Sequence, residues 1–226
     1  MGIEQRFAET YAEAIPLGFA PAQRVRRPSP LELIGKRAFD ILLVLLLLLL
    51  FAPVLLLVVL AIRLDSPGPA LFRQTRLGLN GKPFDILKFR TMSVLENGAH
   101  IVQARANDSR ITRMGRYLRR SSIDELPQLI NVLKGEMSLI GPRPHARAHD
   151  EYYTALIENY VARQAMRPGI TGWAQVNGLR GETPTLDCMR DRVDFDVWYV
   201  EHFSLALDLE ILVRTAFEIF RQRNAH

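Results

Sequence analysis

The sequence predicts an α+β chain, mainly helical, organised around a membrane helix. Three observations carry that class. Ile41 to Ile62, ILLVLLLLLLFAPVLLLVVLAI, is uncharged and strongly apolar apart from Pro53 near its middle. Asn80-Gly81 is a hairpin signal flanked by two short strand-like runs, Leu71 to Leu77 and Phe84 to Phe89. The chain then turns helical from Thr185, where Leu209, Leu212, Val213, Ala216, Phe217 and Phe220 make one apolar stripe.

The organisation that follows is a basic tail over residues 1–32, a membrane helix over 33–64 and one domain over 65–226. A bilayer core is roughly 30 Å thick and a helix rises about 1.5 Å per residue, so the apolar run is long enough to cross. Its hydrophobicity inflates the chain's overall apolar content of 48%. The net charge of +5 suits an anionic lipid surface or a phosphorylated substrate. Nucleic acid is not expected, because no basic stripe interleaved with aromatics is evident. Cys188 stands alone, which excludes a disulfide framework and a cysteine-based zinc site. A removable signal peptide is not expected either, since no small-residue cleavage site follows the apolar run.

In chain order, Met1 to Ala14 reads as a weak helix, and Pro16, Pro21, Pro28 and Pro30 stop anything longer. Arg24, Arg26 and Arg27 read as headgroup contacts or as a solvated basic tail. Lys36 and Arg37 are interface anchors, and Asp40 pairs with one of them at the edge of the run. Pro53 removes a donor and clashes with the carbonyl of Leu49, which predicts a kink. Cationic residues flank the run on both sides, so neither end is the obvious outside. A bent helix that leaves by the face it entered and a straight span with a tolerated proline both fit.

In the second strand of the hairpin, Lys88 and Arg90 fall on one face, a geometry that could hold a diphosphate or simply be a solvated edge. Residues 93 to 112 read as a surface segment, and Ile111 to Arg120 as a short basic amphipathic helix able to rest on headgroups. RRSSIDELPQLINVLKG follows. Ser122 to Glu125 fits a capping box; alternatively Asp124 is the N-cap and Pro127 lies in the first turn. Either way two carboxylates sit at a helix N-terminus beside Arg119 and Arg120. That setting favours ionised acids and draws phosphates, and the pair could ligate Mg²⁺ or attack phosphorus. In LIGPRP, two prolines pin Arg143, cutting the entropy its guanidinium loses on gripping a phosphate. RPGITGWAQVNGLR is rich in turn residues; Trp173, Gln175 and Asn177 could stack on and hydrogen-bond a base or sugar, and Trp173 could equally anchor a core.

Several blocks now stand in one order: KRAFD before a proline-broken apolar helix, RLDSPGPALFRQTRLGLNGKPFDILKFRTM, SSIDELPQLINVLKGEMSLIGPRP and RPGITGWAQVNG. From about Leu33 to the C-terminus the chain resembles the bacterial sugar transferases, the monotopic polyprenyl-phosphate sugar-1-phosphate (phosphoglycosyl) transferases. Its ending is most similar to the branch that starts exopolysaccharide repeat units. Many members there carry further N-terminal transmembrane helices and a soluble domain, and this chain resembles their catalytic part alone. The resemblance implies a re-entrant helix bent at Pro53, where Ala52 replaces a common serine, and a catalytic domain on the cytoplasmic face of the bacterial inner membrane.

The resemblance also implies chemistry. Asp124 and Glu125 match the family's catalytic acids. Asp124 would attack the β-phosphorus of a UDP-hexose, glucose or galactose, expelling UMP, and polyprenyl phosphate would then take the phosphosugar. Glu125, with Asp124, would hold Mg²⁺, and Lys88, Arg90, Arg143 and the adjoining Pro144, with Trp173 and Gln175, would bind substrate. A second copy of the chain and downstream glycosyltransferases complete the implied partners. Without the resemblance, a membrane scaffold whose acids only cap a helix, or a metal-dependent lipid phosphatase or nuclease, would fit the same residues.

Overall fold

The computed structural model describes residues 28–93 and 108–221. The expected N-terminal helix, Arg24, Arg26, Arg27 and most of the surface segment after residue 93 lie outside them. Helix α1 runs from Pro30 to Asp65. It starts at a capping box: the Ser29 Oγ accepts from Glu32 N–H at 3.3 Å while Glu32 Oε2 accepts from Ser29 N–H at 2.8 Å. Pro30 fits the first turn, where its missing N–H costs nothing. The helix remains helical through Pro53. It is long and apolar enough to cross a membrane.

Burial along α1 is confined to two patches. Toward the N-terminus, Val44 is fully buried in the main core, among Leu129, Val132, Ile140 and Ile211, with Phe39, Leu43 and Leu47 beside it. Toward the C-terminus, Val58 and Ile62 pack with Ala70, Phe89 and Leu118. Burying a side chain such as Ile62 contributes about 2 kcal/mol, so each patch is a real attachment. Between them Leu49, Leu50, Leu56 and Leu57 remain 64–78% exposed, which leaves the middle of α1 uncovered by the protein.

The hairpin forms as its turn signal demands. Strands β1 (Leu71–Leu77) and β2 (Pro83–Phe89) pair antiparallel with Leu71 opposite Phe89 and Leu77 opposite Pro83. Asn80 (φ 54°) and Gly81 (φ 71°) both take left-handed backbone, which is why this dipeptide turns here. Helix α2 (Arg113–Ser121) is capped by Thr112, whose Oγ1 accepts from Gly115 N–H. Helix α3 (Gln128–Lys134) ends at Gly135 in the left-handed region.

A second sheet was not expected. Three-residue strands β3 (Ser138–Ile140) and β4 (Gly169–Thr171) pair in parallel, the second within a stretch that reads as turn-rich, because so short a strand carries no periodicity. Close backbone approach makes the pairing specific: a Cβ on Gly169 would lie 2.1 Å from the Gly141 nitrogen. Helices α4 (Arg147–Thr154), α5 (Trp173–Val176), α6 (Leu186–His202) and α7 (Leu205–Arg221) complete the domain.

Helix α7 leaves most of its apolar stripe uncovered by the domain. Ile211 is fully buried while Leu205, Leu209, Val213 and Phe217, one residue per turn, are exposed. Asp208, which lies off that apolar stripe, is also fully buried. Its Oδ2 accepts from Lys36 Nζ at 2.6 Å and its Oδ1 from the Tyr199 hydroxyl at 2.7 Å. Lys36 is therefore no headgroup anchor. Arg37 is not one either: it donates to the Val132 and Leu133 carbonyls at the end of α3. Asp40 does lie near Lys36, at 4.0 Å, and it accepts from Leu139 N–H. Three charged groups that read as interfacial, Lys36, Arg37 and Asp40, thus fasten α1 to the domain.

Candidate active site

The two acids sit on a 3-10 turn, Ile123–Glu125, between α2 and α3. No capping box forms. Ser122 takes left-handed backbone (φ 59°) and its hydroxyl accepts from Arg180 Nη2 at 2.6 Å, so it does not cap α3. Pro127 occupies the N-cap position instead. The consequence is that neither carboxylate is consumed by a helix end.

Glu125 is buried and doubly paired. Its Oε1 accepts from Lys88 Nζ at 2.9 Å and Arg143 Nη2 at 2.6 Å, and its Oε2 from Arg143 Nη1 at 3.3 Å. Burial alone would raise its pKa, but Arg143 and Lys88 outweigh that and hold it well below the usual carboxylate range. Asp124 beside it is half-buried and, among the described residues, makes no hydrogen bond or ion pair. Burial and the neighbouring Glu125 charge push it up to about 6, against the pull of Lys88, Arg119 and Arg143. One acid is thus a fixed charge and the other is free, with raised basicity.

The hairpin and β3 supply the cations. Lys88 and its cross-strand partner Phe72 share one face with Gln74 and Arg76. Arg90 departs from the expectation. Lying just past β2, it donates to the carbonyls of Ile62, Ser66 and Pro67 and to Ser66 Oγ. It satisfies the open end of α1 rather than a phosphate. Arg143 stands where LIGPRP put it, and its carbonyl accepts from Arg163, while that of Pro144 accepts from Arg76 at 3.2 Å. Pro144 therefore serves through its backbone.

Trp173 and Gln175 are engaged within the domain. Trp173 is 6% exposed, stacked on Trp198 at 4.9 Å and covered by Arg214 at 5.0 Å. Gln175 donates to the Ile170 carbonyl. The turn-rich stretch instead sends Arg180 to Ser122, a contact no local pattern announces. Arg76, Arg163 and Arg192 were likewise missed, since a lone arginine in a strand or helix carries no signal.

A family model described as bacterial sugar transferase matches residues 31–222. The chain belongs to this family. Curated relatives of this sugar transferase include the UDP-glucose:undecaprenyl-phosphate glucose-1-phosphate transferases of Caulobacter vibrioides and Escherichia coli. The first is 57% identical over 84% of this chain and 72% of its own length. The second is 51% identical over 94% of this chain and 44% of its own length. An Aeromonas hydrophila relative named for UDP-N-acetylgalactosamine is 43% identical over 83% of this chain and 44% of its own length. The transferase therefore spans less than half the length of several relatives it matches.

Among the described residues, no cluster of three or more His, Cys, Asp or Glu forms a ready metal cage. Mg²⁺ does not require one, since it takes one or two carboxylates and fills its shell with water and substrate phosphate. Asp124 is unengaged and Glu125 Oε2 accepts only one long bond, so the pair fits such an ion.

Proposed function

We propose that this chain transfers a hexose-1-phosphate from a UDP-hexose to polyprenyl phosphate, with glucose the first donor to test. The observation that carries this reading is the asymmetric acid pair: Glu125 locked by Lys88 and Arg143, Asp124 free and raised to about 6. A carboxylate with that pKa is still mostly ionised at neutral pH and is more nucleophilic than an ordinary one.

In the first step an Asp124 Oδ forms a bond to the β-phosphorus. The bond from that phosphorus to the bridging oxygen breaks, and UMP leaves with the oxygen and its electrons. In the second, a polyprenyl phosphate oxygen attacks the same phosphorus and Asp124 departs as carboxylate. Lys88 has one donor and Arg143 two committed to Glu125, so each keeps further N–H groups for the phosphate oxygens. Phosphoryl transfer asks mainly for such positioning and charge neutralisation. When bound, Mg²⁺ would add to that neutralisation, held by Glu125 and Asp124.

The membrane reading is re-entrant. The domain grips α1 near both ends and leaves its middle exposed, and cations flank the apolar run on each side. A helix arching into one leaflet satisfies all three, and the exposed apolar row of α7 would rest on the same cytoplasmic surface. In a Cys188→Ser background, cysteines at Pro30 and Asp65 should both react with an impermeant thiol reagent from one side of sealed vesicles. Labelling from opposite sides would make α1 a straight span.

The deciding experiment is UMP release from UDP-glucose or UDP-galactose with Mg²⁺, with and without undecaprenyl phosphate. A peptide spanning Asp124 should carry a hexose phosphate when lipid is withheld. Stoichiometric UMP release by Asp124→Asn would refute the covalent route, and free hexose phosphate as product would make the protein a hydrolase.

A further inference from the structure

Arg143 is surrounded by arginines that its partner Glu125 does not neutralise. Arg163 is paired, with Asp196 Oδ2 at 2.6 Å from its Nη2. Arg192 and Arg76 are not. Arg192, on α6, is 5% exposed, and among the described residues it forms no ion pair; one terminal nitrogen donates to the Gly181 carbonyl at 2.6 Å and its Nε finds no acceptor. Arg76, half-buried on β1, donates to Pro144 and Gln74, and its Nε is also without an acceptor. Burial first, then Arg143, lowers both guanidinium groups to about 10. Keeping a charge out of water without a directly paired counter-ion costs several kcal/mol, so two such groups need an account.

His145 feels the charge of both. It is 6% exposed, and its Nδ1 lies 2.7 Å from Arg163 Nη1 and 2.6 Å from the Tyr160 hydroxyl. An arginine can only donate, so Nδ1 is the acceptor and a neutral imidazole carries its proton on Nε2. Burial and the surrounding Arg163, Arg192, Arg76 and Arg143 keep the ring neutral. That Nε2–H is buried and has no acceptor among the described residues. Three unmet N–H donors, on Arg76, His145 and Arg192, thus share one neighbourhood with Arg143 and Arg163; the acids that act there are Glu125, Asp196 and Asp150, the last with its Oδ2 also buried and unmet.

We propose that Arg76, His145 and Arg192, together with Arg143, form a cradle for the nucleotide-side phosphate of the diphosphate donor. The position of Arg76 separates this ligand from the lipid phosphate. Its strand meets the α1 cluster at Leu71, and the cross-strand partner of Lys88 is Phe72. Arg76 thus lies roughly 13 Å farther along the ladder from the membrane helix than Lys88 does, at 3.3 Å per residue. Lys88 is the cation on the lipid side and Arg76 the one on the soluble side. The inference rests on the donor reading above and assigns it an address.

Calorimetric titration of the full chain in detergent tests it, with UDP, inorganic pyrophosphate and farnesyl phosphate as probes. Arg192→Gln and Arg76→Gln should each weaken UDP and pyrophosphate by about tenfold or more, the loss of one charge-assisted hydrogen bond. Farnesyl phosphate should bind both variants as it binds the unaltered protein. Arg192→Met guards against misfolding: it removes an unpaired buried cation, so without ligand it should melt no lower, while losing the rise in Tm that pyrophosphate gives. UDP affinity within about twofold in both glutamine variants overturns the cradle. Loss of farnesyl phosphate instead of UDP also overturns it. If the variants lose pyrophosphate but UDP never binds the unaltered protein, the anion site stands and the nucleotide donor falls.

Discussion

Asp124→Asn should make the protein more stable at pH 8 while abolishing transfer. Asp124 titrates near 6 when folded and near 3.9 in an unfolded chain. For an acid raised in the folded state, ionisation opposes folding. Well below pH 4 both states are protonated and there is no penalty. The penalty grows between about 4 and 6 and is complete above. Two pH units correspond to about 3 kcal/mol. Asparagine is nearly isosteric and Asp124 makes no hydrogen bond among the described residues, so little else is lost. Thermal melts of both proteins in the same detergent, from pH 4.5 to 8.5, should diverge progressively, with the variant higher at alkaline pH and the gap narrowed to about 1 kcal/mol near pH 4.5. A variant that melts lower at pH 8, or a gap independent of pH, would refute the claim that Asp124 is a strained, ionised carboxylate.

Other expectations follow from the same contacts. Glu125→Gln strands Lys88 and Arg143, and denaturant titration at pH 8 should show a loss of about 3 kcal/mol, opposite in sign to Asp124→Asn. The contribution of Glu125, an acid lowered on folding, is present above about pH 4.3 and fades as pH falls toward its folded pKa. Arg90→Met should lower Tm by freeing the carbonyls at the end of α1 but leave KM for the UDP-sugar unchanged, since Arg90 touches helix ends only. Lys36→Met leaves Asp208 buried with only Tyr199 and should cost about 3–5 kcal/mol, most of it recovered in Lys36→Met combined with Asp208→Leu.

The membrane helix, the hairpin with its turn, and the acid pair were legible because each has a local signature: an apolar run, Asn-Gly, adjacent carboxylates before a helical pattern. The strands of the hairpin fall within a residue of their expected ends. Strands β3 and β4 were not legible, since a three-residue pair is specified by two distant stretches meeting at Gly141 and Gly169. The same limit applied to charge. Lys88 and Arg90 share a face by alternation, yet Arg90 lies past the strand and turns to the end of α1, while the arginine that does share the Lys88 face is Arg76, farther along the opposite strand. Lys36 and Asp208 show what an apolar stripe alone leaves out on α7: a lysine far away in sequence makes that aspartate an interior residue.

The double grip on α1 has a mechanical meaning. A catalytic domain tied to its membrane segment by one linker could swing, and the height of its acids above the lipid would be an average over many poses. Here Lys36, Arg37 and Asp40 bolt one end of the helix and Val58, Ile62 and Arg90 the other. Two bolts leave no hinge. How far Asp124 stands from the headgroup plane becomes a fixed dimension of the protein, and a bilayer of different thickness has to yield around it.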